Sequence, residues 1–252
     1  VFLEKYKKNF YSQSGEDGII NEILKRLNLY SRKNKWCCEF GAWDGKQSSN
    51  TYHNVEKNKF KAIYIEGNKN RFSILKKLSL ENPNIICVNK YVSHKKNSKN
   101  NLDSILKRTK IKKNFEILSI DIDSHDLIVW KNLKQYQPEI VVIEINSGIK
   151  PNIYQIHNNI NYGNSFASTI QLAKEKGYIL VAHTGNCIFI KKKYKKKIKI
   201  PQNLINHPEN LFDWRWIGRR ESYMKKVLKL LIPFSLLEYL RKIKFNILRQ
   251  LG

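Results

Sequence analysis

The sequence has few of the features that mark membrane-spanning, zinc-binding or disulfide-bonded proteins. No apolar run approaches the roughly 18 residues that a membrane-spanning helix needs, and the first ten residues lack the apolar core of a signal peptide. Four cysteines without metal-ligand spacing lie in, or begin, short apolar runs: Cys37, Cys38, Cys87 and Cys187. We therefore expect buried thiols in a reducing cytoplasm and no helix that crosses a membrane.

Two common nucleotide-binding motifs are also missing. The chain has neither the Gly-x-Gly-x-x-Gly turn of dinucleotide-binding proteins nor the Gly-Lys-Ser or Gly-Lys-Thr end of a phosphate loop. Instead, the apolar run at 36–40 continues into a Glu-x-Gly-x-x-x-Gly turn that contains Glu39, Gly41 and Gly45. Because this turn offers no cradle for a pyrophosphate, it favours S-adenosylmethionine over a dinucleotide as the ligand.

A second apolar run supports a site for adenosine. Residues 62–65 are apolar and lead into Glu66 and Gly67, about one helix-length after the glycine turn. A Rossmann-type sheet holds adenosine with this order of strand, glycine turn, helix, strand and acid, in which the acid accepts hydrogen bonds from both ribose hydroxyls. A strand-to-helix turn without a ligand is the alternative interpretation.

The order of apolar segments predicts an α/β fold. Helical periodicity over 15–28 indicates a leading helix. Strands are predicted at 35–40, 62–66, 84–88, 117–122, 139–145, 178–183 and 187–193, with helices from about 46 and at 69–80, 101–109, 126–134 and 165–176. Only residues 184–186 separate the last two strands, which predicts an antiparallel hairpin. A Rossmann-like class I methyltransferase has this arrangement, a seven-stranded, mostly parallel sheet that ends in such a hairpin.

The same order divides the chain into three predicted parts. Residues 1–34 form a helical lead-in, and residues 35–195 form a Rossmann-like catalytic domain that binds S-adenosylmethionine. Residues 196–252 form a basic, aromatic linker followed by amphipathic C-terminal helices.

Acidic residues collect after the fourth and fifth predicted strands. Residues 121–126 read Asp-Ile-Asp-Ser-His-Asp, and residues 144–146 read Glu-Ile-Asn. In open α/β sheets ligands bind at the carboxyl ends of the strands, so both segments fall at the predicted site. Crowded carboxylates repel one another. Capping of the next helix by Asp123 or Ser124 explains part of the cluster, but it does not explain Asp121 or Glu144.

His125 is the first candidate for the base that takes a proton from an acceptor hydroxyl during methyl transfer. Its ordinary pKa lies near neutrality, and we expect the flanking carboxylates to raise it. Asp121 or Asp123 is the alternative base, and a surface histidine in the first turn of a helix is the structural alternative.

A divalent metal is a further alternative at the same strand ends. The side chains of Asp123, Glu144 and Asn146 form an all-oxygen set that suits a hard cation such as Mg²⁺.

The motifs, taken as an ordered set, resemble those of the FkbM-type methyltransferases. The segments that carry the resemblance are SQSGED at 12–17, EFGAWDG at 39–45, SNT at 49–51, IEG at 65–67, LSIDID at 118–123 and IEIN at 143–146. The resemblance covers residues 10–195 and implies S-adenosylmethionine-dependent methylation, mostly O-methylation of sugars and natural products. Relatives usually carry glycine where Ser124 stands, followed by a residue other than histidine.

The resemblance also implies which residues contact the cofactor. Gln13 closes over the cofactor, and Asp121 lies near the reacting methyl group. The remaining expected cofactor-binding residues belong to the same motifs: Glu39, Gly41, Ala42, Gly45, Asn50, Glu66 and Gly67.

The C-terminal quarter is the basic part of the chain. Residues 191–252 hold 17 of the 47 lysines and arginines but 4 of the 21 acids, which is half of the net charge of +26. The run at 191–199 predicts a solvated linker or a phosphate-binding patch. Two tryptophans in 213–220 are expected to pack on the domain or to stack on a base or sugar. Residues 235–251 predict a basic amphipathic helix.

Several partners fit that helix. Residues 222–252 would dock on an anionic membrane surface, pack against the same chain or contribute to a homodimer. A cytoplasmic protein held peripherally at the inner membrane would suit the assembly of a bacterial capsule or lipopolysaccharide.

We therefore expect an O-methyltransferase that uses S-adenosylmethionine and acts on a sugar, glycan or small polar acceptor. The loop 146–162, with Tyr154, His157 and four asparagines beyond Asn146, would bind that acceptor. Charge and aromatic content favour a nucleic-acid methyltransferase as one alternative, but residues 121–126 lack the Asn/Asp-Pro-Pro-aromatic turn of amino-methylating DNA enzymes. A non-catalytic, membrane-associated binding protein is the other alternative, and the dense carboxylates argue against it.

Overall fold

The computed structural model describes residues 2–218 together with Leu236, Tyr239 and Ile243. The amphipathic helix predicted at 235–251 therefore lies almost entirely outside the described residues. No helix in the described part of the chain has the length and apolarity that a membrane crossing requires.

Seven strands form one mixed sheet with the order β3-β2-β1-β4-β5-β7-β6. The strands are β1 (Trp36–Phe40), β2 (Lys61–Ile65), β3 (Ile85–Val88), β4 (Ile117–Ile120), β5 (Ile140–Glu144), β6 (Tyr178–His183) and β7 (Asn186–Lys191). The first five strands pair in parallel, while β7 is antiparallel to both β5 and β6. The predicted fold class and the predicted C-terminal hairpin are thus confirmed.

Eight α-helices connect or flank these strands within the described residues. They are α1 (Glu16–Arg26), α2 (Tyr52–Asn58), α3 (Lys69–Glu81), α4 (Leu102–Leu106), α5 (Asp126–Asn132), α6 (Phe166–Glu175), α7 (Lys195–Ile198) and α8 (Gln202–Asn206). The predicted helix from about residue 46 was wrong in its start, because α2 begins at Tyr52. Asp44 accepts hydrogen bonds from the backbone N–H groups of Lys46 and Gln47, which holds this segment in a turn.

The sheet separates two apolar cores because successive side chains of a strand point to opposite faces. Cys38 and Phe40 of β1 face the core that contains α4, α5 and α6, whereas Cys37 faces the core that contains α1, α2 and α3. All five residues of β1 and the first four of β5 are buried, as expected for strands covered on both faces. Both cores keep the strand ends rigid, which fixes the positions of the polar groups beyond them.

The N-terminal motif at 12–17 folds around the carboxylate of Asp17. This buried group accepts hydrogen bonds from the backbone N–H groups of Phe10, Tyr11 and Ser12 and from the Ser12 hydroxyl. Glu16, also buried, accepts a hydrogen bond from Thr184 at 2.8 Å. Asp17 therefore orders the N-terminal segment, and Glu16 attaches this segment to the residue after β6.

Most of the basic run at 191–199 is exposed, as the sequence predicted, but part of it packs on the sheet domain instead of forming a linker. It forms a 3-10 turn at Lys192–Tyr194 and then α7, which packs against α1. Lys197 donates a hydrogen bond to the Leu27 carbonyl, and Ile198 is fully buried. The prediction was wrong only in treating the run as a linker, because the side chain of Ile198 within it belongs to the core.

Candidate active site

The carboxyl ends of β1 and β4 approach each other at Gly41. This residue has φ of +76°, and a Cβ atom there would lie 1.7 Å from the backbone oxygen of Asp121. Only glycine fits, because both the left-handed φ and the close approach exclude a side chain. Gly41 and Ala42 also donate their N–H groups to the Ile65 carbonyl, so the glycine turn is fixed to the end of β2.

Glu39 organises the loop that follows this turn. Its carboxylate accepts hydrogen bonds from the hydroxyls of Ser49 and Thr51, at 2.7 and 2.5 Å, and from the N–H of Asn50. The Asn50 amide in turn donates to the Ser119 hydroxyl of β4 at 3.0 Å. Burial raises the pKa of Glu39, against the effect of these donors. Glu39 and Asn50 therefore fix the loop at 49–51 to β1 and β4, beside the predicted cofactor site.

Glu66 lies at the tip of β2, 5% exposed, beside the glycine turn. One carboxylate oxygen accepts a hydrogen bond from the Trp43 N–H at 3.0 Å, and the other from the Asn68 N–H at 2.7 Å. An ionised carboxylate has about four acceptor positions, so both oxygens retain capacity for further donors. This placement is the one that the sequence predicted for the residue that binds a ribose.

The other predicted cofactor residues occupy different surroundings. A Cβ atom on Gly45 would collide with Leu75 and Leu78 of α3, so this glycine serves helix packing. A Cβ atom on Gly67 would collide with the ring of Tyr91, which lies over the loop after β2. Gln13 is exposed, between residues that Asp17 and Glu16 hold in place.

Three carboxylates meet at the ends of β4 and β5. Oxygen atoms of Asp121, Asp123 and Glu144 lie within 4.8 Å of one another. Burial, followed by the charges of its acidic neighbours, raises the pKa of Glu144, and burial is also the main reason why the pKa of Asp121 is raised. Asp121 and Glu144 share a hydrogen bond. Within the described residues none of the three has an ion pair, so the pair holds a proton near neutral pH.

The turn between β4 and α5 is held by an acid that the sequence did not single out for this purpose. Buried Asp126 accepts hydrogen bonds from the N–H groups of Ile122 and Ser124, at 2.8 and 2.9 Å. The N-cap of α5 is His125, so neither Asp123 nor Ser124 caps it as the sequence suggested. Asp123, with φ of +60°, is exposed at the edge of the cluster.

The oxygen set predicted for a metal is only partly brought together. Asp123 and Glu144 belong to the cluster, but Asn146 uses its amide within the following loop, where it donates to the Tyr162 carbonyl and accepts from the Gly148 N–H. Asp121 would take the place of Asn146 as the third oxygen ligand. Three carboxylate groups are a suitable donor set for a hard cation, so the residues present fit Mg²⁺ with this change.

His125 does not have the electrostatic surroundings that the sequence predicted. Its ring stacks on the ring of His94 at 3.9 Å and meets the ring of His157 edge-on at 4.7 Å. Burial and the charges of these two histidines lower its pKa. The prediction of a raised pKa was wrong, because the flanking aspartates turn toward β5 and the backbone while two other imidazoles face the ring.

Three residues near the site escaped the sequence analysis. His94 comes from the loop after β3, where nothing in the local pattern indicates a functional role. Arg71 of α3 lies over the Trp43 ring, 4.5 Å from its centroid. The glycine motif could have pointed to Trp43, but the partner on a separate helix depends on the tertiary fold.

Residues 10–180, well over half of the chain, match the family model described as Methyltransferase FkbM domain. The chain belongs to the FkbM methyltransferase family. As a member it is a methyltransferase of the S-adenosylmethionine-dependent class, as the sequence resemblance implied. Comparison with curated protein sequences found no match.

Solved methyltransferase structures resemble this FkbM chain at low sequence identity. TrmK of M. capricolum, in complex with S-adenosyl-homocysteine, is 15% identical over 89% of this chain and 95% of that chain, with a TM-score of 0.44. A putative O-methyltransferase from Klebsiella pneumoniae is 8% identical over 73% and 83%, with a TM-score of 0.45. The N-terminal domain of EvdMO1 with S-adenosyl-homocysteine bound is 9% identical over 71% and 80%, with a TM-score of 0.43.

The residues at the carboxyl edge of the FkbM domain fit S-adenosylmethionine in three respects. Glu66 retains acceptor positions for ribose hydroxyls. Next to the glycine turn, Nε of Arg71 and Oε1 of Gln47 are buried without a hydrogen-bond partner in the described residues, as a polar ligand would require. The carboxylate cluster carries negative charge without a protein cation and so matches a positively charged sulfonium.

Proposed function

We propose that the chain is an S-adenosylmethionine-dependent O-methyltransferase that acts on a hydroxyl of a sugar, glycan or similar small polar acceptor. The observation that carries this proposal is the carboxylate cluster of Asp121, Asp123 and Glu144 beside the glycine turn. Two half-buried acids and one exposed acid that lie together without cations incur a cost in stability. The negative charge would attract a cationic cofactor. A carboxylate could also accept a hydrogen bond or the proton from the acceptor hydroxyl.

The glycine turn and Glu66 position the cofactor. Glu66 would accept hydrogen bonds from the ribose hydroxyls, beside the turn that Gly41 and Ala42 fix to the Ile65 carbonyl. Asp121 follows β4 at the point where Gly41 meets its backbone, so it lies next to this turn. When bound, S-adenosylmethionine supplies an electrophilic methyl group on a positively charged sulfur.

His125 is the proposed base. Its lowered pKa leaves the imidazole neutral at pH 7, with a nitrogen able to accept the proton of the attacking hydroxyl. The alternative base is the carboxyl pair of Asp121 and Glu144, whose raised pKa values bring a carboxylate close to the basicity of an imidazole. The two alternatives predict different variants. His125→Gln removes only the first base, and the double variant Asp121→Asn with Glu144→Gln removes only the second.

A divalent cation is the alternative use of the cluster. Asp121, Asp123 and Glu144 would hold it, and it would stabilise the oxyanion of the acceptor. Turnover that is unchanged by a chelator and by added Mg²⁺ would exclude this alternative. Turnover that requires Mg²⁺, and is lost in Asp123→Asn, would support it.

The acceptor is proposed to bind at the loop between β5 and α6. Tyr154 and Tyr162 of this loop are largely exposed, as are Ile153, Ile160 and the three asparagines at 158, 159 and 161. Exposed rings and amides in the loop that follows Glu144 suit a polyhydroxylated ring. Docking of residues 222–252 on an anionic membrane remains part of the proposal, because a membrane-bound glycan would then be close to the site.

Calorimetric titration with S-adenosylmethionine and S-adenosylhomocysteine tests the cofactor assignment. We expect micromolar binding that is lost in Glu66→Ala and retained in Glu81→Ala, an exposed acid at the end of α3. Transfer of a labelled methyl group to nucleotide sugars or capsule fragments then tests the acceptor class. Absence of binding of either ligand would reject the proposal, and transfer to nitrogen or carbon would reject O-methylation.

A further inference from the structure

Four aromatic rings from three loops form a continuous row beside the carboxylate cluster. His94, after β3, stacks on His125, after β4, with ring centroids 3.9 Å apart and planes within 11°. His157, after β5, meets His125 at 4.7 Å and Tyr162 at 5.6 Å. We call this row, His94, His125, His157 and Tyr162, the imidazole wall.

The imidazole wall borders the proposed site of methyl transfer. His125 is two residues from Asp123. At the other end of the wall, the amide of Asn146, two residues after Glu144, donates a hydrogen bond to the Tyr162 carbonyl at 2.9 Å. In keeping with this position, burial and the charges of Asp123 and Glu144 raise the pKa of Tyr162 to about 12. The wall therefore runs from the loop after β3 to the carboxylates that would lie next to the reacting hydroxyl.

The polar edges of the wall are available to a ligand. Among the described residues, no hydrogen bond engages a ring nitrogen of His94 or His125. Nδ1 of His157 accepts a hydrogen bond from the Gly163 N–H, which leaves its other nitrogen as a donor. The ring nitrogens of an imidazole donate or accept hydrogen bonds according to its tautomer, so the wall offers both donors and acceptors along an aromatic surface.

This chemistry matches one class of acceptor. Hydroxyl groups donate and accept in turn, and the C–H groups of a sugar ring pack on aromatic surfaces. The neighbouring carboxylates of Asp121, Asp123 and Glu144 accept hydrogen bonds from hydroxyls but repel an anion. No ion pair within the described residues offsets their charge.

We propose that the imidazole wall selects an acceptor whose methylated ring is polyhydroxylated and uncharged, and that the neighbouring carboxylates exclude a sugar with a carboxylate on that ring. This inference rests on the proposed function, since it takes the carboxyl edge as the methyl-transfer site. It adds His94, together with the stacking arrangement, to the residues that recognise the acceptor. It also assigns the carboxylates a role in specificity.

A matched pair of probes tests the charge selection. Methyl β-D-glucopyranoside and methyl β-D-glucopyranosiduronate share one ring and differ in the group at carbon 6. They are titrated, with the methyl galactoside, mannoside and rhamnoside as further neutral probes, against protein with and without S-adenosylhomocysteine. The readout is the NMR signal of the ring Cε1–H of each of the six histidines.

We expect at least one neutral glycoside to shift the signals of His94, His125 and His157, while those of His53, His183 and His207 stay unchanged. The uronate should bind at least about tenfold more weakly than the glucoside, because carboxylates in close contact repel. Equal binding of the two, shifts confined to other histidines, or no shift with any neutral glycoside would overturn the proposal.

Substitutions separate contact with the ligand from support of the fold. His94→Ala should weaken binding of the neutral glycoside about tenfold, and His94→Phe, which keeps a stacked ring, should weaken it without unfolding. His53→Ala is the matched control, because His53 stacks on Phe10 at 3.9 Å outside the site. S-adenosylhomocysteine should bind all variants equally. If the parent protein does not bind S-adenosylhomocysteine, the proposed function is rejected. If the His94 variants bind the neutral glycoside as tightly as the parent protein does, only the role of the imidazole wall is rejected.

Discussion

The two ends of β5 carry one glutamate each, in opposite electrostatic surroundings. At the amino end Glu139 lies 2.9 Å from Nζ of Lys193, 3.1 Å from Arg32 and 3.4 Å from Lys191. Burial alone would raise its pKa, but the hydrogen bond from Lys193 and the other cations hold the pKa below its usual value. At the carboxyl end Glu144 faces Asp121 and Asp123, and its pKa is raised.

The difference shows that the basic composition of the chain does not decide which buried carboxylates have a cationic partner. Two lysines of the run at 191–199 contact Glu139, at the amino end of β5. None of the described lysines or arginines pairs with the carboxylates at the other edge. The amino edge stabilises the fold, and the carboxyl edge retains the negative charge that the proposed chemistry needs.

The largest expected effect comes from Gly41→Ala, which disrupts the contact between the turns after β1 and β4 at the carboxyl edge of the sheet. The new Cβ would meet the Asp121 backbone 1.7 Å away, in addition to its strained φ of +76°. We expect a loss of at least about 3 kcal/mol in the free energy of unfolding, measured in urea. Gly177→Ala is the matched control, because Gly177 has φ of +78° and no atom within 4 Å of its Cβ position. Equal losses in the two variants would contradict the close approach.

Glu139→Gln removes the ion pairs at the amino end of β5. It removes the negative charge that Arg32, Lys191 and Lys193 share, in a site where the carboxylate is 2% exposed but the cations are partly solvated. The expected loss of unfolding free energy is about 2 kcal/mol, below that of a fully buried pair. Glu81→Gln, at an exposed position, should change stability by less than about 0.5 kcal/mol. If Glu139→Gln lowers the free energy of unfolding no more than Glu81→Gln does, the ion pairs of Glu139 do not stabilise the fold and the proposed difference between the two ends of β5 is wrong.

Glu144→Gln sharpens the comparison because it should have the opposite sign. A carboxyl group whose pKa is raised by folding binds its proton more tightly in the native state than in the unfolded chain. Stability of the parent protein therefore falls as pH rises above the unfolded pKa. The amide should increase the unfolding free energy by about 1 kcal/mol at pH 8, with a smaller gain at pH 5, while methyl transfer decreases. A gain independent of pH would contradict the raised pKa.

The smallest effect concerns His125, whose pKa is lowered by burial and by His94 and His157. Its ring should titrate by NMR below the value of about 6.5 for a free histidine. Because the unfolded chain binds this proton more readily, acid below that value slightly destabilises the fold. His94→Ala should move the pKa of His125 upward, and His207→Ala should leave it unchanged. If His125 is the base, the acid limb of turnover should move in the same direction.

The fold could be predicted closely because each buried strand appears in the sequence as a short apolar run. The predicted strands at 62–66 and 178–183 lie within one residue of β2 and β6, and the hairpin follows from the short separation at 184–186. Where tertiary contacts decide, the prediction was wrong. Residues 46–51 have an ordinary polar composition, yet Asp44 and Glu39 hold them in a turn. Nothing in the lysine run indicates that Ile198 completes the core.

The candidate site was predictable in its residue types but not in its partners. Glu66 and Asp121 stand where the motif order placed them, at the tips of β2 and β4. Gly45, expected beside the cofactor, faces α3, and Asn146, expected beside a metal, is used within its loop. His94 joins the site from a loop whose position is set by strand β3, about 30 residues before His125 along the chain.

The sequence by itself determined the order of strands and helices, the glycine turn and the acids at strand ends, because these depend on patterns a few residues long. Only the tertiary structure decided which charges are balanced. The pKa of Glu139 falls and that of Glu144 rises although both border the same strand. The physical reason is that a pKa depends on burial and on charges within a few ångströms. Those neighbours come from Arg32, Lys193 and Asp121, which the fold alone brings together.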